Sequence, residues 1–222
     1  MSGRSSAGQQ RRSREPLTRE RVLRAALAVI DRDGLENLSM RRLGGELGVE
    51  AMSLYNHVPD KAAVLDGVVE ILWEEAAERD AHAEPGQWQA QARSLADAVR
   101  QTAHAHPHAY PLILTRGVLP QEVFRLGGRL LSSLREAGFG DLAPPAMLAL
   151  ASHATSQALA EVTWQGASVA GDTAEMARQW PPLVGARDEL PRADMDAAFT
   201  FGLELQIEAL EARLARIQAE AR

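Results

Sequence analysis

LSMRRLGGELGVEAMSLYNHVPDK, residues 38–61, carries the most specific pattern in the chain. Ser39 has the chemistry of a helix N-cap, its hydroxyl placed to accept from an orphan backbone N–H near Arg41 or Arg42. Leu43 and Leu47 fall one turn apart on one face, and Gly48 supplies the left-handed residue that stops this helix. Val49 returns the chain to the core. A second helix from about residue 50 to 56 then buries Leu54 and turns Ala51, Met52, Ser53, Tyr55, Asn56 and His57 mostly outward, until Pro59 forces a break. Helix, tight turn and short helix with a polar and aromatic outer face is the helix-turn-helix pattern, whose second helix enters the DNA major groove. Tyr55 keeps a second reading, as a ring partly buried in the core with its hydroxyl exposed.

Length and composition narrow the classes around this motif. A chain of 222 residues supports one large core or two modest ones. It contains no cysteine, which excludes a disulfide framework and a thiol switch and makes a cytoplasmic address the expectation. No apolar run approaches the roughly 18 residues of a membrane span, and no h-region follows the basic N-terminus. Net charge is −6, but it is unevenly spread: residues 1–61 carry +3 and the remainder −9. The positive end is the end with the motif, and the acidic remainder disfavours lying flat on DNA.

Taken in order, residues 1–16 are polar and arginine-rich and read as a disordered basic arm. Arg11, Arg12 and Arg14 are either a further anchor on DNA or part of a solvated tail. Residues 17–62 form the helix-turn-helix unit. Thr18 caps its first helix, Leu23, Ala26, Leu27 and Ile30 make one stripe, and Gly34 ends it. Residues 63–84 form a linking helix, capped by Asp60 and about 30 Å long, that Glu84-Pro85-Gly86 closes. In residues 85–222 every periodic segment is helical and nothing alternates with period two, so the chain is all-α. The connection between the last two long segments, about 145–170 and 193–219, contains Pro181-Pro182 and Gly185. Leu203, Ile207, Leu210, Leu214 and Ile217 step by 4, 3, 4 and 3, a heptad seam suited either to one side of a bundle between subunits or to an intramolecular core. Ala151, Ala154, Ala158 and Ala160 offer close helix approach.

LGVEAMSLYNHVPDKAAVLD, residues 47–66, resembles the DNA-binding domain of the tetracycline-repressor family: Leu47-Gly48-Val49, Leu54-Tyr55, His57-Val58 and Lys61 all match. Phe201-Gly202-Leu203-Glu204-Leu205 is similar to the C-terminal helix of that family's ligand domain. The resemblance implies an N-terminal three-helix DNA-binding domain, a C-terminal helical ligand-binding and dimerisation domain, and a homodimer on a palindromic operator. It further implies Arg41 on a guanine edge, and Tyr55, His57 and Lys61 on phosphates. Ala51, Met52 and Ser53 would meet thymine methyls, with one hydroxyl among them, and Asn56 phosphate or base. It also implies that two helices, one carrying the 203–217 seam, pair with their twins across the dimer.

The effector site has no comparable motif. The family's drug-holding histidine and asparagine fall on Ala77 and Leu95, and its metal-binding histidine on Leu112 or Ile113, so the polar grip on tetracycline-magnesium is absent. Periodicity places Trp73, Leu95, Val99, Tyr110, Leu114, His153 and Trp164 around a pocket for a small, largely apolar effector. His104, His106 and His108 are interrupted by Pro107 and make no convincing metal set, and no cofactor is expected. No catalytic residue is expected either, since nucleophile-elbow, phosphate-loop, zincin, dinucleotide and di-iron signatures are all missing. These features point to an effector-released repressor. The alternatives are a DNA binder without a small effector, constitutive or controlled by a protein, and, more remotely, a helical-bundle enzyme.

Overall fold

The computed structural model describes residues 16–81, 87–164 and 195–220. The expectations for residues 1–15, 82–86 and 165–194, and for the side chain of Trp164, lie outside the described residues. Among the described residues there are nine α-helices and no strand: α1 Arg19–Asp33, α2 Met40–Leu47, α3 Ala51–Leu54, α4 Lys61–Ala81, α5 Trp88–Ala105, α6 Leu112–Thr115, α7 Gln121–Ala137, α8 Ala143–Trp164 and α9 Met195–Glu220.

Helices α1 to α3 and the start of α4 build a head around Val22, Leu23, Ala26, Leu43, Leu54, Val58, Val64 and Val68, all buried. The expected punctuation is present. Thr18 Oγ1 accepts from Arg21 N at 3.2 Å, Ser39 Oγ from Arg42 N at 3.2 Å, and Asp60 Oδ1 from Ala63 N at 2.8 Å. Gly34 (φ 87°) and Gly48 (φ 65°) end α1 and α2 in backbone that a side chain would strain. Helix α3 is shorter than expected: the chain leaves it after Leu54, and residues 55–57 continue as a turn in which His57 N and Val58 N both donate to the Leu54 carbonyl.

The C-terminal domain packs α5 against α8, with α7 and α9 beside α8 and α4 entering from the head. The loop preceding Arg116 contains one helical turn, α6, that sequence periodicity did not separate. Two buried carboxylates tie helices together. Asp80 of α4 accepts from Ser94 Oγ of α5 (2.6 Å) and Arg129 Nη1 of α7 (2.7 Å). Glu161 of α8 accepts from Arg100 Nε (2.8 Å) and His104 Nε2 (2.7 Å) of α5.

The seam on α9 divides, and its first two residues belong to the intramolecular alternative. Leu203 and Ile207 are buried in the protomer's own core, with Leu210 and Leu214 half-buried against it and Ile217 half-exposed beyond. Helix α9 turns that stripe inward because Gly202 lets it approach His153 of α8 so closely that a Cβ would lie 2.4 Å from the ring. The large apolar residues that α9 exposes are Phe201 (70% exposed) and Leu205 (55%). The small residues of α8 sort likewise: Ala154 and Ala158 are buried, while Ala149, Ser152 and Ser156 face outward.

Gly44 and Gly45 look equivalent in sequence and are not equivalent in space. A Cβ on Gly44 would sit 2.9 Å from the Val49 carbonyl oxygen and 3.1 Å from Ala51 N, backbone that positions α3, whereas a Cβ on Gly45 meets nothing within 4 Å. Gly44→Ala should therefore cost about 1–3 kcal/mol by overpacking, even after its gain in helix propensity, and Gly45→Ala should stabilise by up to about 1 kcal/mol. Denaturant midpoints of the two variants check this pair.

Candidate nucleic-acid interface and effector cavity

The reading face follows from local chemistry. Leu54 is fully buried, which fixes the rotation of α3 and turns its neighbours outward: Met52 is 72% exposed and Tyr55 44%, Asn56 is exposed, and Ala51, Ser53 and His57 are half-buried. Tyr55 is thus a largely surface residue whose ring is free to meet a partner. Most arginines of the head are already paired. Arg32 joins Asp33 and Glu46 (2.9 Å each), Arg42 joins Asp33 (2.6 Å), Arg19 joins Glu70 (2.8 Å) and Arg24 joins Glu20 (3.0 Å). Asp33 and Glu46 are correspondingly held below the ordinary carboxylate range, chiefly by their hydrogen bonds to Arg32. Arg41 in the first turn of α2 and Lys61 at the start of α4 are exposed and make no ion pair among the described residues. Two uncompensated cations, one on each of the helices flanking α3, with an aromatic and polar face between them, suit a polyanion whose base edges lie in a groove.

The second feature is an open cavity of about 380 Å³ in the ligand domain, with an almost wholly apolar wall. Trp73, Leu95 and Val99 line it as expected, and α7 and α8 supply the remainder, including Val123, Leu131, Met147 and Ala151. Its rim is formed by Leu119, Phe124 and Leu148, all large hydrophobic residues more than half exposed. Gly127 and Gly128 leave room on the α7 side. Three expected lining residues are elsewhere. Tyr110 is fully buried and donates its hydroxyl to the Thr155 carbonyl at 3.4 Å, behind the wall, and burial pushes that hydroxyl's pKa up. Leu114 sits on α6, about half exposed and outside the lining. His153 faces α9, donating Nε2–H to the Phe199 carbonyl at 3.1 Å. Sequence periodicity missed α7 as a wall; the glycine pair at 127 and 128 beside apolar residues was the available signal.

The three histidines at the end of α5 and just beyond it diverge. His104 goes to Glu161, His106 to Asp31 and Glu75, and His108 to the Asp31 carbonyl. Among the described residues no group of three or more potential ligands converges on one point.

A helix-turn-helix head joined by one long helix to a helical domain with an apolar cavity defines a one-component transcription regulator, in which one chain holds both the DNA-reading and the sensing parts. The model of the bacterial regulatory proteins of the tetR family matches residues 22–68, and that of the tetracyclin repressor-like C-terminal domain matches residues 82–214. The chain is 32% identical over 199 residues to the class A tetracycline repressor protein from transposon 1721 of Escherichia coli, covering 86% of this chain and 89% of that protein. It is 33% identical over 125 residues to the transcriptional repressor DrrR1 of Streptomyces coeruleorubidus; that match covers 56% of this chain and 46% of that protein's length. The crystal structure of ActR from Streptomyces coelicolor in complex with actinorhodin aligns with a TM-score of 0.72 at 29% identity, over 90% of this chain and 99% of that one. The chain belongs to the tetracycline-repressor family, and it is a DNA-binding transcription regulator, not an enzyme.

Filling the cavity gives its first test. Ala151→Phe projects a ring into the space now open beside Val99 and Met147, so uptake of a neutral apolar dye such as Nile red should fall by roughly tenfold or more, for lack of buried apolar area. Fluorescence titration reads it, with circular dichroism to show that the helices are retained.

Proposed function

We propose that this regulator is a homodimeric repressor that holds a palindromic operator through α3 of each head and is released when a small, largely apolar effector enters the α5–α7–α8 cavity. The observation that carries the DNA reading is the pair of unpaired cations, Arg41 and Lys61, in a head whose other described arginines are mostly neutralised. Arg41 would fork onto a guanine edge, a contact worth about 1–3 kcal/mol of discrimination. Met52, Ala51 and Ser53 would lie against bases, and Tyr55, Asn56, His57 and Lys61 against phosphates. Such a protein acts where the chromosome is, in the cytoplasm. Among the described residues no helix is long and apolar enough to cross a membrane.

Ala77, Leu95, Leu112 and Ile113 are all buried and apolar here, which supports an effector other than a tetracycline-magnesium chelate. The apolar wall, with Thr155 as its only hydroxyl among the described residues, favours a neutral, largely apolar molecule gripped by burial. The relative ActR was solved in complex with actinorhodin, a precedent for a bound ligand on this fold. For the dimer, Phe201 and Leu205 on α9 are the exposed apolar groups a second copy would cover.

Selection of bound DNA from a random pool tests the reading directly. Arg41→Ala should relax preference at one base pair, whereas Lys61→Ala should weaken all sequences alike and reduce the salt slope by about one unit. Unchanged sequence profiles for Arg41→Ala would remove it as a base reader. In ultracentrifugation, Phe201→Lys with Leu205→Lys should yield folded monomer, since an unpaired charge in an apolar interface costs several kcal/mol. Leu203→Lys should instead unfold the domain, because that side chain is 4% exposed within one subunit.

A further inference from the structure

The joint between head and ligand domain holds a histidine that faces more carboxylate than a neutral imidazole can serve. His106, the C-cap of α5, directs Nδ1 to Asp31 Oδ2 of α1 at 2.7 Å and Nε2 to Glu75 Oε2 of α4 at 2.9 Å. Both acceptors are carboxylate oxygens, so both bonds require the ring to donate. A neutral imidazole carries one N–H and would set a lone pair against an anionic oxygen at its other nitrogen. The geometry therefore calls for imidazolium. The ring is only 14% exposed, so water has little access to either bond.

The neighbouring groups leave His106 as the main compensation for Asp31, whose second oxygen, Oδ1, is buried without a partner. From the same loop, His108 Nδ1 donates to the Asp31 carbonyl at 2.9 Å, not to its carboxylate. On α4, Arg79 pairs with Glu75 at 3.2 Å and donates to Thr102 Oγ1 of α5 at 2.9 Å, and Arg24 of α1 adds a weaker attraction to Glu75. These bonds join the two domains to the cavity. Helix α5 lines it with Leu95 and Val99, and Thr102 and His106 follow on the next turns of the same helix.

We propose that His106 is a proton-dependent clasp that ties the cavity helix α5 to α1 and α4 of the head, holding the head pre-set for DNA while the ring is doubly protonated and releasing it when the ring becomes neutral. The inference rests on the reading of the chain as an operator-binding regulator. It adds a second route from cavity to head: α4 alone would drag α1 passively, whereas the clasp grips α1 itself. The electrostatics agree. The bond to Asp31 raises His106 above its ordinary value of 6.5 against the opposing effect of burial, and Glu75 adds to the rise. Burial pushes Glu75 up, but its bonds to His106 and Arg79 prevail and hold it below its ordinary 4.5. A histidine with a raised folded value contributes stability in full below its unfolded value, and that stability is lost as pH rises through the folded one. Glu75, being depressed, contributes above its unfolded value and loses that contribution as pH falls through its folded one. The clasp is closed between the two.

Imidazole ¹⁵N NMR of the full chain, with His106→Gln to assign the ring, reads the protonation state directly: both nitrogens should carry protons at neutral pH and titrate together above the ordinary histidine value. DNA selected by the parent from a random pool is then titrated from about pH 6 to about pH 9, the range in which a raised histidine changes charge. Parent affinity should fall about tenfold as His106 deprotonates, while His106→Gln binds at the lower level without that step. Any contribution of His57 at the phosphates is common to both and cancels in the comparison. A ring already neutral at pH 6.5 in the folded chain, or parallel pH profiles for parent and variant, overturns the clasp. If the pool yields no bound DNA, the operator reading falls by itself. The clasp is then decided by hydrogen exchange of α1, expected about tenfold faster in His106→Gln, and unchanged exchange overturns it.

Discussion

Helix α4 runs through a core that is continuous from the head into the C-terminal domain, and the arrangement of both depends on it. Its first turns bury Val64, Gly67 and Val68 in the head, and its later turns bury Leu72, Ala76, Ala77 and Asp80 in the ligand domain. Gly67 is the closest point: a Cβ there would lie 2.4 Å from a methyl of Leu23, so α1 and α4 meet nearly backbone to side chain. A helix buried on so many sides cannot rotate about its own axis without exposing apolar surface at about 25 cal/mol per Å². It can still tilt as a rod, a motion that would carry the head with it.

Charge placed inside the protein limits that tilt. Asp80 locks the far end of α4 to α5 and α7, and Glu161 locks α5 to α8, each against a guanidinium and a second donor. Arg100 also stacks over Phe199 of α9, its guanidinium carbon 4.9 Å from the ring centroid, so the same arginine joins α5, α8 and α9. Removing one partner from such a group leaves an uncompensated ion and costs several kcal/mol, so these junctions specify helix register more than they add net stability. The joint at His106 inverts that construction, one ring facing two carboxylates, and its donor can lose its proton where a guanidinium does not.

The cavity departs from the packing of a closed core. Its wall is apolar, yet Leu119, Phe124 and Leu148 stay exposed at its mouth, where a closed core would have buried them. That exposed surface is unfavourable in water and becomes favourable when an apolar molecule covers it, which favours effectors by burial more than by hydrogen bonding. Because Val99 and Met147 stand on helices that also carry the ion pairs, a molecule seated there presses on elements already tied to the head.

Much of this was legible in the sequence wherever the cause is local. Caps at Thr18, Ser39 and Asp60, the left-handed stops at Gly34 and Gly48, the two-helix motif and the outward set on α3 follow from bonds within a few residues of each position. The all-α class and the family follow from periodicity and a run of matched positions. Tertiary structure decided what periodicity leaves open. A 4-3-4-3 stripe shows that α9 has an apolar face but not which neighbour takes it, and close approach at Gly202 gave that face to the protomer's own core, leaving Phe201 and Leu205 outside. Likewise Tyr110 and His153 are apolar-face residues of the right kind, yet their hydrogen bonds to Thr155 and Phe199 turn them behind the cavity wall. His106 makes the case most plainly: residues 31, 75 and 106 are far apart in the chain, and only the packing of α1, α4 and α5 brings two carboxylates to one ring, because long-range proximity is set by how helix faces fit, not by any spacing along the chain.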